Sequence, residues 1–101
     1  MSYTIKIDVD AFSDIQNTFE WYELQVKGLG LRYKNQAKKQ INFLKKNPFL
    51  FSIKYKDVRC YKIEKFPFLI HYTVDKFEEI VSVFALFHTS RNPEIWKQQN
   101  K

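Results

Sequence analysis

The chain contains a single cysteine, Cys60, so it cannot form an internal disulfide. No Cys/His cluster has the spacing of a zinc site, so neither a structural metal nor a cofactor is expected. Its two glycines and three prolines leave no low-complexity tract, linker or internal repeat. No apolar run is long enough to span a bilayer. The start, "MSYTIKIDVD", lacks the basic-then-apolar layout of a secretory leader. These absences lead to the expectation of a cytoplasmic protein in a reducing compartment, with no membrane partner. Acidic residues are also scarce: eleven Asp and Glu stand against seventeen Lys and Arg, a net charge of +6.

Apolar side chains are plentiful. Hydrophobic residues make up 45% and aromatics 18% of the sequence, with ten Phe and six Tyr. A chain of 101 residues with this much core material reads as one folded domain, 1–101, and not as a disordered segment. The charge is uneven. Between Lys34 and Lys65 there are ten basic residues and only two acidic ones, Asp57 and Glu64. Such clustering predicts a basic face suited to an anionic partner.

Periodicity gives the order of elements. "YTIKIDV" alternates, with Tyr3, Ile5, Ile7 and Val9 on one side, as a half-buried strand does. Asp10 is then expected to cap a helix with its carboxylate. Phe12, Ile15, Phe19, Tyr22 and Val26 follow at helical spacing, and Gly28 suits the stop. A second helix is predicted from Leu31 to Lys46, with Tyr33, Ala37, Ile41 and Leu44 on one face, ended by Asn47–Pro48. Strand patterns then follow: "FSIKYK", "VRCYKIE", "FLIHYTV" and "IVSVFALF". The last is almost wholly apolar and reads as a central strand covered on both faces. The predicted fold is α+β, in the order β-α-α-β-β-β, with a helical hairpin on one face of a mostly antiparallel twisted sheet.

The same patterns set expectations for single residues. His71 lies inside an apolar strand and is expected to be packed or hydrogen-bonded. Cys60 is expected in the core, and Trp21 and Tyr22 in hairpin packing. Arg59 suits either a structural ion pair with Glu20 or Glu23 or a phosphate contact. Lys38, Lys39, Lys45 and Lys46 fit a solvated helix face or a nucleic-acid contact. His88 ends the apolar run, where sites often lie.

Six short stretches carry a family resemblance: Asp14–Ile15, "WYE" at 21–23, "GLG" at 28–30, "LKKNP" at 44–48, "VRCYKIEKFPFLIHYTV" from Val58, and "FHTSRNPEIW" from Phe87. Together, in this order, they resemble the RelE/ParE superfamily of bacterial type II toxin–antitoxin toxins. The "WYE…GLG…NP…FPF" pattern is similar to the members called ParE-like or plasmid stabilisation proteins.

The resemblance implies a toxin that inhibits growth of its host by ParE-like, non-enzymatic action on DNA gyrase. It leaves two alternatives open. One is a RelE-like, metal-independent endoribonuclease acting on mRNA in the ribosome. The other is a member that only binds its antitoxin. The implied partners are a cognate antitoxin, in a toxin–antitoxin hetero-oligomer, and gyrase or ribosome-bound mRNA. If the chemistry is RNA cleavage, Arg59, His88 and Arg91 are the candidate catalytic set. Lys45, Lys46, Lys54, Lys56 and Trp96 are candidate contacts to nucleic acid or target.

Overall fold

A computed structural model describes residues 2–90. It has β1 (Thr4–Ile7), α1 (Val9–Gln25), α2 (Leu29–Phe43), β2 (Ile53–Tyr55), β3 (Val58–Lys62), β4 (Phe68–Asp75) and β5 (Ile80–His88). This is the expected α+β order, with the strand-forming stretch after Pro48 folded into a small β2–β3 hairpin. The five strands form one sheet in the order β1-β5-β4-β3-β2. β1 runs parallel to β5, and every other pairing is antiparallel.

The first helix starts earlier than its sequence suggests. Asp8, not Asp10, is the N-cap, and its side chain makes no capping hydrogen bond. The strand end sets the position: the Asp8 N–H donates to the Val83 carbonyl, and its own carbonyl accepts from Phe12. The second helix stops at Phe43, short of Lys46. Its last turn tightens, with Leu44 N–H bonding to Ile41 and Lys45 N–H to Asn42. The Lys45 carbonyl then accepts from Tyr3, which ties the end of α2 to the start of β1.

With glycine so scarce, other residues take the left-handed turn positions. Lys56, Lys65 and Glu79 have φ of 50°, 72° and 57°, a conformation that costs a non-glycine residue on the order of 1 kcal/mol. Gly28, at φ 91°, takes such a position in the helix link. Gly30 lies inside α2 and is buried.

The core lies between the hairpin and one face of the sheet. Ala11 and Ile15 of α1 and Tyr33, Ala37 and Ile41 of α2 pack on Ile70, Tyr72, Val81, Val83 and Leu86. The α1 stripe is rotated from the sequence reading. Phe12 is 63% exposed and Val26 59%, while Phe19 is half-buried beneath the Lys34 ammonium, 5.0 Å from its ring centre. A bulge at Phe84 explains part of the pattern in β5. His71 pairs with Ala85 and Tyr72 with Val83, so Phe84 has no partner. The Asp14 carboxylate accepts from the Leu86 N–H just beyond the bulge, at 3.3 Å.

Two polar side chains lock the helices in place. Glu23 accepts from the N–H groups of Gly28 (3.1 Å) and Leu31 (3.0 Å), at the start of α2. These hydrogen bonds hold its carboxyl below the usual range. Gln40 is buried and faces the β3–β4 connection. It donates to the Lys62 carbonyl and accepts from the Glu64 N–H, both at 2.7 Å. Gln40→Leu keeps the bulk but leaves both backbone groups without this partner. A loss of about 2–3 kcal/mol is expected in urea denaturation, since each unsatisfied buried group costs roughly 1–3 kcal/mol. A loss under about 0.5 kcal/mol would show that Gln40 does not anchor the connection.

Candidate functional site: an aromatic pocket and a lysine-rimmed groove

His88 ends β5 and pairs with Phe68, the first residue of β4. It is exposed. Its Nδ1 accepts from the Ser90 N–H at 3.1 Å and lies 2.8 Å from the Ser90 hydroxyl. With Nδ1 accepting, the proton of the neutral ring sits on Nε2. The imidazole stands edge-on to Phe68, with centres 5.3 Å apart. It forms one wall of an open pocket of about 530 Å³, lined also by Asn17, Thr18, Trp21 and Tyr22 of α1 and by Pro67 and Phe68. Tyr22 belongs to the aromatic cluster with Tyr33, Phe66 and Phe68. Trp21, expected in hairpin packing, touches Tyr22 at 5.2 Å yet is 56% exposed.

Arg59 does not join His88. It pairs with Tyr72, four residues from Phe68 along β4. That places it roughly 13 Å along the sheet and two strands, roughly 10 Å, across from His88. Its guanidinium donates to the Phe51 carbonyl and lies 5.1 Å from the centre of the Phe49 ring. Arg59 thereby pins the α2–β2 connection to β3. Glu20 and Glu23, considered as its partners, instead bond to Gln16 and to the start of α2.

The candidate lysines divide between two regions. Lys54 and Lys56 lie on β2 and in the turn after it, at the sheet edge opposite β1. Lys45 and Lys46 are exposed just beyond α2. Arg91 and Trp96 fall outside the described residues.

Lys45 belongs to a second feature that residue spacing alone did not reveal. A groove of about 670 Å³ runs between β1 and the helical hairpin. Ile5, Ile7, Phe12, Ile15 and Ile41 line it together with Lys34, Lys38, Lys39 and Lys45. β1 is an edge strand, and the Thr4 and Asp8 amides point inward to β5. Alternation therefore leaves the Ile5 and Ile7 amides on the open edge beside the groove.

On the far face of the sheet, His71 is buried and structural, as expected. Its Nδ1 lies 3.1 Å from the Tyr55 hydroxyl and 3.5 Å from the Cys60 sulfur, and its ring contacts Phe87 at 4.9 Å. Burial lowers the imidazole to about 4 and raises the Cys60 thiol to about 11. Cys60 is therefore an inert core thiol. Among the described residues, no three His, Cys, Asp or Glu gather as metal ligands. No described helix is long and apolar enough to cross a membrane.

The same fold recurs in solved structures. The chromosomal ParDE system of P. aeruginosa matches with a TM-score of 0.77 at 14% identity, over 88% of this chain and 98% of that one. The intact E. coli RelBE toxin–antitoxin complex matches at 0.67 and 17%, over 89% and 100%. The archaeal RelE–RelB complex from Pyrococcus horikoshii matches at 0.59 and 14%, over 91% and 100%. No curated protein matches the sequence. The family model of the ParE toxin of the type II toxin–antitoxin system parDE matches residues 5–93. The chain thus belongs to the ParE toxin family of type II toxin–antitoxin modules.

Proposed function

We propose that the protein arrests growth by ParE-like, non-enzymatic action on DNA gyrase. The observation that carries this reading is the separation of Arg59 from His88 among the described residues. General acid–base cleavage of RNA needs a proton donor or acceptor and cations within reach of one phosphate. Among the described residues, no Lys or Arg lines the His88 pocket, and Arg59 is committed to Phe51 and Phe49. Arg91 remains a target contact in this reading. The lysine-rimmed groove is the seat of the antitoxin, whose segment would be acidic on one side and apolar on the other. Charge complementarity with Lys34, Lys38, Lys39 and Lys45, together with the isoleucine floor, supports that occupant.

The test compares two targets at equal protein concentration. Gyrase with supercoiled DNA should accumulate protein-linked double-strand breaks, while mRNA on translating ribosomes stays intact. Cleaved mRNA with unaffected gyrase would overturn the reading in favour of a RelE-like nuclease. A paired Lys38→Glu and Lys39→Glu variant should stay toxic but escape neutralisation by the antitoxin. Full neutralisation would remove the antitoxin from the groove.

A further inference from the structure

We propose that the pocket beside His88 binds a single unstacked nucleobase. Its walls are three aromatic rings, Trp21, Tyr22 and Phe68, and its volume of about 530 Å³ is that of a small-molecule site. Trp21 is 56% exposed, an unusual position for an indole that only fills a core. An exposed ring such as Trp21 can serve as a platform for base stacking, which tolerates any base because every base has a π-face.

The polar groups distinguish a base from an aliphatic side chain. Asn17, Thr18 and the His88 imidazole all line the pocket. The Ser90 contacts occupy Nδ1 of His88 and leave the Nε2–H as its donor. Asn17 offers both a donor and an acceptor, and Thr18 a hydroxyl. Donors and acceptors beside stacking rings match the hydrogen-bonding edge of a base. An aliphatic side chain would cover the Asn17 amide and the His88 Nε2–H without offering them partners, which is unfavourable. The net charge of +6 draws a polyanionic strand to the surface, while the pocket itself grips the base. The assignment stands independently of which target the toxin acts on, since the same ring chemistry comes from a free nucleotide or from a strand.

The test uses the full chain at one fixed salt concentration and fluorescence anisotropy. The probes are a short labelled single-stranded oligodeoxyadenylate and an abasic oligonucleotide of equal length and charge. The base-bearing probe should bind at least about 10-fold more tightly, the scale of one stacked base. Trp21→Ala should bring the two probes within about 2-fold of each other. Should Trp21→Ala fail to fold, Asn17→Ala on the exposed face of α1 gives a second reading, with a narrowed gap expected. Equal binding of the two probes by the parent protein overturns the proposal, because charge alone would then account for binding. So does a gap that survives in a folded variant. Adenosine monophosphate separates the sources. Competition shows that a free nucleotide suffices, and its absence beside a clear gap shows that the strand must present the base; either result sustains the assignment.

Discussion

Gly30→Ala should destabilise the protein by about 2–3 kcal/mol, although alanine is the better helix former by roughly 1 kcal/mol. A Cβ at this position would fall on the Phe19 carbonyl oxygen and 2.7 Å from Cγ of Glu23. The first neighbour is backbone of α1, so relief requires the two helices to move apart. The second holds the start of α2 through Gly28 and Leu31. Gly28→Ala has a different character. A Cβ there meets nothing within 4 Å, and only the left-handed φ of 91° opposes it, at a cost of about 1 kcal/mol. Urea denaturation of the two variants should rank Gly30→Ala as the more damaging. A neutral or stabilising Gly30→Ala would show that the hairpin is not packed this closely.

Stability should also fall by about 2–3 kcal/mol between pH 6.5 and pH 4 through His71 alone. Its imidazole is buried and lowered from 6.5 to about 4. In that window the unfolded chain binds the proton and the folded protein does not, so acid favours unfolding. The contribution is fully present above pH 6.5 and is lost as the pH falls towards 4. Tyr55 and Cys60, pushed up to about 12 and about 11, stay neutral throughout. Glu23 acts in the same direction at lower pH, since its depressed carboxyl stabilises the fold above its ordinary value of 4.5 and loses that effect as it protonates. His71→Gln keeps a hydrogen-bonding side chain without the titration. Chemical denaturation of both proteins across the window isolates the difference. Equal pH slopes for the parent and His71→Gln would mean that His71 is not held neutral by burial.

Much of the architecture was legible because its signals are local. Alternation in "YTIKIDV" and "FLIHYTV", helical spacing in Tyr33, Ala37 and Ile41, and the apolar run from Ile80 each reflect neighbouring residues on one element. The buried, structural character of His71 could be read from the same alternation, and that of Cys60 from the hydrophobic character of a thiol. Boundaries were less legible. Asp8 caps α1 in place of Asp10 because pairing with Val83 ends the strand there, and α2 stops at Phe43 because the turn after it must meet Tyr3. The face that α1 buries is only partly legible, since Phe12 fits the helical stripe and yet is exposed.

The order of elements, the basic balance and the family are written in local periodicity and short motifs. The company each side chain keeps emerges only when the elements pack together. Arg59 and His88 both looked free to meet at one phosphate, but strand register separates them and fastens Arg59 to Phe51. Trp21 and His88, far apart in the chain, share a pocket because α1 crosses the sheet where β5 ends. Gln40, one polar residue among many on α2, became an anchor because the β3–β4 connection brings Lys62 and Glu64 to it. Register and packing depend on contacts between segments distant in sequence, and no local spacing encodes them.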